Sequence, residues 1–83
     1  MSAPLTYRLL YFASLRDCTG RDSEVVASMA QDPRALYTQV AQQHGLTLAT
    51  ERLRVAVNGE FAAWDRALHD GDEVVFLPPV SGG

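Results

Sequence analysis

One stretch of the sequence carries both a helix start and a helix stop. Asp32-Pro33 combines a side chain that caps helices with a proline suited to the first helical position. Gly45 is placed to end that helix in the left-handed conformation. Between these signals, Leu36 and Val40 lie at helical spacing and define an apolar stripe. We therefore predict one main helix, from about residue 33 to residue 44, whose stripe the rest of the chain must bury.

Five other segments have the composition and alternation of β-strands. They are rich in β-branched, aromatic and aliphatic residues. Asn58-Gly59 is a strong signal for a two-residue hairpin, and Asp70-Gly71 favours a turn before the last strand. Residues 13–21 are predicted to be a loop, with a turn over residues 19–22 joining the first two strands as a hairpin. The predicted strands cover residues 5–12, 23–29, 53–58, 60–63 and 74–77.

These elements predict an α+β fold. The first and last strands are apolar on both faces, which fits adjacent central strands of one sheet. One amphipathic helix covers only one side of a sheet, and we expect Trp64 to cover an edge of that core. The other face would then expose Leu10, Phe12, Leu77 and Phe61. An exposed apolar patch of this size usually marks a protein partner.

The composition excludes several classes of protein. A chain of 83 residues fits one domain, and 47% hydrophobic with 20% charged residues is typical of a globular chain. The net charge is −3 and every basic residue is arginine, so we predict no nucleic-acid partner. No apolar run approaches the roughly 20 residues of a membrane span, and no signal-peptide pattern is visible, which predicts a cytoplasmic protein. Cys18 is the only cysteine, and we expect an ordinary half-buried thiol.

No constellation of side chains predicts catalysis or a metal site. His44 and His69 lack metal-ligand spacing, and we expect His44 to be a surface or capping residue at the helix end. The acidic turn at residues 70–73 lacks the spacing of a calcium loop. The serines have no nucleophile elbow around them. If the protein takes part in chemistry, the reactive group is therefore the carboxylate of Gly83.

The last strand runs into a distinctive tail. Pro78-Pro79 has no backbone N–H to donate and restricts φ, so it should leave the sheet as a stiff extended segment. Residues 78–83 would reach roughly 20 Å at about 3.3 Å each. Gly82-Gly83 fits a slot too narrow for other residues. We predict a single domain over residues 1–83, with a globular body over 1–77; a frayed terminus is the alternative reading of the tail alone.

Four pieces of the sequence match one family in order and spacing: residues 10–17 (LYFASLRD), 55–58 (VAVN), 68–74 (LHDGDEV) and 76–83 (FLPPVSGG). They span essentially the whole chain, which resembles the small, sulfur-carrier subunit of molybdopterin synthase, a ubiquitin-like family of the β-grasp fold. The Pro-Pro-Val-Ser-Gly-Gly ending is the most specific piece, whereas the helix region matches only in pattern. The resemblance implies a mixed sheet of four to five strands packed on one main helix, with a flexible Gly-Gly tail.

The resemblance implies a carrier that is not itself a catalyst. An ATP-dependent activating enzyme adenylates Gly83, and a sulfur donor protein then converts the acyl adenylate to a thiocarboxylate. The tail enters the large subunit of the synthase and gives its sulfur to cyclic pyranopterin monophosphate, a step of molybdenum cofactor biosynthesis. The family's synthase is a heterotetramer of two small and two large subunits. The chain itself is expected to bind no cofactor or metal, because the activating enzyme uses the ATP.

The resemblance also assigns roles to individual residues. Gly83 carries the adenylate and then the sulfur, and Gly82 gives clearance in a narrow tunnel. Pro78 and Pro79 limit the entropy that the tail loses on docking. The expected partner contacts are hydrophobic at Phe12, Phe61 and Leu77, polar at Arg16, and along the tail at Val80 and Ser81.

Two other functions stay open on the sequence alone. A sulfur carrier of the thiamine pathway would use the same tail chemistry, although such carriers are usually shorter and match Phe-Leu-Pro-Pro-Val less well. A ubiquitin-like modifier would instead join Gly83 to lysine amines of target proteins. The intact mass of the protein distinguishes a sulfur carrier from a modifier, because a thiocarboxylate differs from the carboxylate by sulfur in place of oxygen.

Overall fold

The computed structural model describes residues 3–79 of the chain. Five strands form one mixed sheet in the order β2-β1-β5-β3-β4, in which β1 and β5 are parallel and the other neighbours antiparallel. This confirms the predicted α+β fold and the central, adjacent placement of the first and last strands. The elements are β1 (Leu5–Tyr11), α1 (Ala13–Thr19), β2 (Ser23–Ser28), α2 (Pro33–His44), a 3₁₀ turn (Thr50–Arg52), β3 (Arg54–Val57), β4 (Glu60–Ala62) and β5 (Glu73–Leu77).

The main helix α2 has the bounds that its capping residues predict. The Asp32 carboxylate accepts a 2.8 Å hydrogen bond from the backbone N–H of Ala35, a contact worth about 1 kcal/mol in a typical helix. Gly45 ends the helix at φ 71°, where its N–H donates to the carbonyl of Ala41. Leu36 and Val40 are fully buried against the sheet. The apolar stripe of α2 therefore covers one side of the core.

The core lies between α2 and one face of the sheet, and aromatic rings fill much of it. The Tyr37 ring meets the edge of Phe76 with 5.1 Å between centroids, and Trp64 stacks on Phe76 at 6.0 Å with the ring planes 5° apart. Trp64 thus covers an edge of the core, as predicted. The buried Tyr7 keeps its hydroxyl satisfied by donating a 2.6 Å hydrogen bond to the carbonyl of Ala30.

The predicted loop over residues 13–21 is wrong, because most of it is the short helix α1. Only Leu15 of this helix is buried, so the segment has no repeated apolar spacing from which to predict a helix. Leu15 closes the core at the end of β1. The first two strands do pair antiparallel, but α1 joins them instead of the predicted turn over residues 19–22.

The two-residue hairpin at Asn58-Gly59 is confirmed. Both residues have positive φ, 54° and 86°. A two-residue turn needs this conformation for its twist to match that of the two strands it joins. The turn sets the register, so that Ala56 lies opposite Phe61 in the β3–β4 pair. The hairpin therefore places Phe61 on the same face of the sheet as Ala56.

His44 lies in the last turn of α2, as predicted, but its side chain is partly buried in a polar cluster and is not a surface group. Its Nε2 lies 3.1 Å from both carboxylate oxygens of Glu24, whose side chain is only 8% exposed. Arg21 approaches the same carboxylate at 3.1 Å, and the Tyr11 hydroxyl donates to it at 3.3 Å. Burial, and then the Glu24 carboxylate, raise the pKa of Tyr11. The cluster ties the end of α2 to the edge strand β2.

Candidate functional site

The tail begins at the end of a central strand of the sheet. The strand β5 is paired on both sides, with β1 and with β3, up to Leu77. Pro78 is half-buried and Pro79 is exposed, and neither belongs to the strand. The predicted site residues Val80, Ser81, Gly82 and Gly83 lie outside the described residues. Their roles, and the division into body and tail, stay predictions.

The face of the sheet opposite α2 carries a row of apolar residues. The register places Leu10 beside Val75, Val75 beside Ala56, and Ala56 beside Phe61. Val75 is buried by its neighbours in the row, whereas Phe61 at its end is 69% exposed. The next row along β5 holds Leu77, opposite Arg54. The structure therefore brings Leu10, Leu77 and Phe61 to one face, as the alternation predicted.

The other two predicted contacts, Phe12 and Arg16, lie beyond the end of β1. Phe12 follows β1 as the N-cap residue of α1, and its ring is 47% exposed. Arg16 projects from α1, where its guanidinium lies 3.6 Å from the carboxylate of Asp22. Such an exposed ion pair contributes about 0–1 kcal/mol to stability. The Arg16 guanidinium can therefore exchange Asp22 for a carboxylate of a partner at little cost in free energy. Cys18, on the same helix, is exposed, so the prediction of a half-buried thiol is wrong.

A groove of about 400 Å³ lies beside the root of the tail, on the β3–β4 side. Its walls are residues 51–54, Phe61 and residues 77–79. The Arg54 guanidinium carbon sits 5.9 Å from the centroid of the Phe61 ring, within the range of a cation–π contact. We call this feature the root groove. It brings together Phe61, Leu77 and both prolines, four of the residues predicted to contact a partner.

The sequence reasoning missed the two arginines of the root groove, Arg52 and Arg54. Arg52 lies in the segment between α2 and β3, where the sequence has no motif that indicates a site, yet it lines the groove. A signal for Arg54 was present. A two-residue turn at Asn58-Gly59 brings Phe61 back beside residue 56, and Arg54 is the next residue along on the same face.

The opposite end of the sheet is closed by hydrogen bonds to the acidic turn. The Asp72 carboxylate accepts from the Asn58 side-chain amide and from the His69 backbone N–H, both at 2.9 Å. Partial burial alone would raise the pKa of Asp72, but these hydrogen bonds, together with the charges of His69 and Arg66, outweigh it and hold the pKa below its usual value. Within residues 3–79, no group of three or more acidic, histidine or cysteine side chains has the arrangement of a metal site. Nor is any helix in that part of the chain long and apolar enough to cross a membrane.

A family model described as the ThiS family matches residues 9–83, which is most of the chain. The chain belongs to the ThiS family. It is 39% identical over 79 residues to the molybdopterin synthase sulfur carrier subunit of Escherichia coli (strain K12), covering 92% of this chain and 98% of that relative. It is 37% identical over 79 residues to the subunit of the same name from Mycobacterium tuberculosis, covering 90% and 94%.

Solved structures share the fold. SAMP1 from Haloferax volcanii has a TM-score of 0.79 at 26% identity, covering 94% of this chain and 99% of that one. A complex of subunits 1 and 2 of molybdopterin-converting factor from Helicobacter pylori contains a chain with a TM-score of 0.66 at 22% identity, covering 95% and 100%. The ubiquitin of Caldiarchaeum subterraneum has a TM-score of 0.64 at 15% identity, covering 96% and 99%. The fold of this family member is thus the ubiquitin-like β-grasp.

Proposed function

We propose that this protein is the sulfur carrier subunit of a molybdopterin synthase. The observation that carries the proposal is the 39% identity to a subunit of that name over nearly the full length of both chains. The specific ending Pro-Pro-Val-Ser-Gly-Gly supports the same function. The carrier works in molybdenum cofactor biosynthesis, in the cytoplasm, and Gly83 is the residue that holds the sulfur.

The chemistry of such a carrier needs no catalytic side chain of its own. In the activating enzyme, a Gly83 carboxylate oxygen attacks the α-phosphorus of ATP and pyrophosphate leaves. Sulfide supplied by a sulfur donor protein then attacks the acyl carbon, the bond to the phosphate oxygen breaks, and AMP leaves. The resulting thiocarboxylate is a soft anion whose sulfur attacks cyclic pyranopterin monophosphate in the large subunit. Water then hydrolyses the acyl–sulfur bond, which leaves the sulfur on the pterin and restores the Gly83 carboxylate. ATP is the cofactor of the activating enzyme and not of this chain.

The described part of the chain contributes by fixing where the tail starts. Because β5 is paired on both sides, its end at Leu77 cannot shift without breaking the centre of the sheet. Ordering a free residue costs about 1–2 kcal/mol of backbone entropy, and proline has already lost part of that freedom. Pro78 and Pro79 therefore lower the cost of sending the tail into a partner's active site, where Gly82 gives clearance.

The large subunit is proposed to dock on the open face around the tail. Phe12, Phe61 and Leu77 supply apolar area there, and Arg16 supplies a guanidinium that pairs with the exposed carboxylate of Asp22. The Helicobacter pylori complex, which has subunits 1 and 2 together, supports a partner of this kind. The complete assembly is proposed to be a heterotetramer of two small and two large subunits, with Val80 and Ser81 held inside the large subunit.

Intact-mass spectrometry tests the proposed function directly. The purified protein is incubated with the activating enzyme, ATP and sulfide, and then with the large subunit and cyclic pyranopterin monophosphate. The first step should add the mass difference between sulfur and oxygen at Gly83, and the second should remove it while molybdopterin forms. A thiocarboxylate whose sulfur appears only in a thiazole product would assign the protein to the thiamine pathway instead.

A modifier function is the second candidate, favoured by the likeness to SAMP1, a small archaeal modifier protein. A modifier forms an isopeptide bond between Gly83 and a lysine amine of a target. The same mass experiment, repeated with cell extract, separates the two functions. Adducts on target lysines would support the modifier, whereas sulfur transfer without adducts supports the carrier.

A further inference from the structure

We propose that the root groove binds an acidic segment of the large synthase subunit. In this proposal a carboxylate of that segment lies between Arg52 and Arg54, and an apolar side chain beside it packs on Phe61. The inference rests on the proposed function and adds the chemistry of the partner surface. It also assigns partner-binding roles to two arginines that the apolar face alone would not suggest.

The charge of the root groove is the first argument. Arg52 and Arg54 are both exposed, and within residues 3–79 neither guanidinium lies within 4.0 Å of a carboxylate oxygen. The chain as a whole carries a net charge of −3, so this is a local cationic site on an acidic protein. A partner with carboxylates at the matching place would be attracted to this site more than to the rest of the surface.

Among the described residues, Glu51 is the acidic residue of the root groove, and it offsets only one of the two arginine charges there. Glu51 accepts a 2.9 Å hydrogen bond from the hydroxyl of Thr50. That hydroxyl in turn accepts from the guanidinium of Arg34 at 3.2 Å, on the helix side. The Glu51 carboxylate is thus engaged with Thr50, and the two groove arginines remain available to an anion from outside.

The apolar floor is the second argument. Phe61 is 69% exposed, an unusual state for a phenylalanine in a strand, and Leu77, Pro78 and Pro79 continue the apolar wall toward the tail. Arg54 lies 5.9 Å from the centre of the Phe61 ring, so the cation and the ring form one composite surface. An extended segment with a carboxylate next to an aliphatic or aromatic side chain matches both parts at once.

The position of the root groove selects the partner. Pro78 and Pro79 belong both to the groove wall and to the tail. A protein that encloses the tail must therefore come within contact distance of the groove. The large subunit holds the tail during sulfur transfer in the proposed function, and it is the occupant to which the proposal commits.

The test compares two double variants with the same net charge. Arg52→Gln/Arg54→Gln removes both groove cations, whereas Arg8→Gln/Arg66→Gln removes two exposed arginines that do not line the groove. Affinity for the purified large subunit is measured by calorimetry at low and at high salt. We expect the groove variant to bind about tenfold more weakly at low salt and the control to stay within about twofold of wild type. At high salt the groove variant and wild type should converge, because exposed ion pairs are screened.

The outcomes separate this inference from the function on which it rests. If wild type does not bind the large subunit at all, the proposed function fails. If wild type binds and both double variants bind equally well, the acidic segment does not exist and the inference fails alone. The same titrations with the purified activating enzyme check the choice of partner, and a loss of binding seen only with that enzyme would overturn it. Equal melting temperatures of the two double variants establish that any loss comes from the surface and not from the fold.

Discussion

The two ends of the sheet differ in how their polar groups are satisfied. At the acidic-turn end, Asp72 accepts two hydrogen bonds, Asp70 accepts one from the N–H of Thr6, and Asn58 bonds both Asp72 and the backbone of Glu73. At the tail end, aromatic rings are exposed and two arginines have no carboxylate partner in residues 3–79. One end is thus closed by internal contacts, and the other offers contacts to a second protein. Stability and binding are assigned to opposite ends of a small domain.

The largest effect should come from placing a charge on the open face near the tail. Phe12→Arg puts a guanidinium where an apolar contact with the large subunit is proposed, and we expect at least about tenfold weaker binding. The melting temperature should change little, because the Phe12 ring is already 47% exposed. Binding is measured by calorimetry and stability by thermal unfolding.

Val25→Arg is the matched control for that variant. Val25 is 68% exposed on the edge strand β2, opposite Arg8 and away from the tail root, so the same substitution should leave binding unchanged. A large fall in the melting temperature of Phe12→Arg would mean that this ring stabilises the fold and is not a docking residue.

At the closed end we expect a smaller effect, which lowers stability and leaves binding unchanged. Asp72→Ala removes two hydrogen bonds to a charged acceptor and should reduce the free energy of unfolding by about 1 kcal/mol. In a domain of this size, that corresponds to a melting temperature lower by about 4–8 °C. Asp65→Ala, at an exposed aspartate, is the control for the change in charge and should have little effect on stability. Neither variant should alter affinity for the large subunit; reduced affinity in Asp72→Ala would break the division between the ends.

The smallest effect is a pH dependence at the same residue. The pKa of Asp72 is lower in the folded protein than in the unfolded chain, where it is about 3.9. The ionised carboxylate therefore adds stability above about pH 4, and this contribution is lost as the pH falls through the lower, folded pKa. The carboxylate is only partly buried and is screened by solvent, so the contribution is less than about 1 kcal/mol. Chemical unfolding of wild type and Asp72→Asn at neutral and acidic pH should give a stability difference that narrows in acid; a constant difference would contradict the assignment.

The parts of the fold with local signals could be predicted from the sequence. The bounds of α2 follow from Asp32-Pro33 and Gly45, and the β3–β4 turn follows from Asn58-Gly59, because each signal acts on its immediate neighbours. The central position of β1 and β5 follows from apolar residues on both of their faces. In contrast, α1 buries only Leu15. A single apolar position gives no helical spacing from which the helix could be predicted.

The parts that depend on distant pairs could not be predicted in the same way. The contact between Glu24 and His44 joins residues that are 20 positions apart, on different elements. The root groove joins residues from β3, β4 and the tail, and it becomes visible only once the register is known. The partner roles of Phe12, Arg16, Phe61 and Leu77, and those of the tail residues, stay predictions that the variants above test.

The central claim is that the reactive group of this protein is the free main-chain carboxylate of Gly83, which the domain holds at the end of its tail. One alanine added after Gly83 tests it most directly, in cells that lack the natural subunit, with molybdopterin as the quantity measured. The account predicts that molybdopterin falls to the level of cells without the subunit, while the extended protein keeps the melting temperature of wild type. Molybdopterin at the wild-type level with the extended protein would contradict the account.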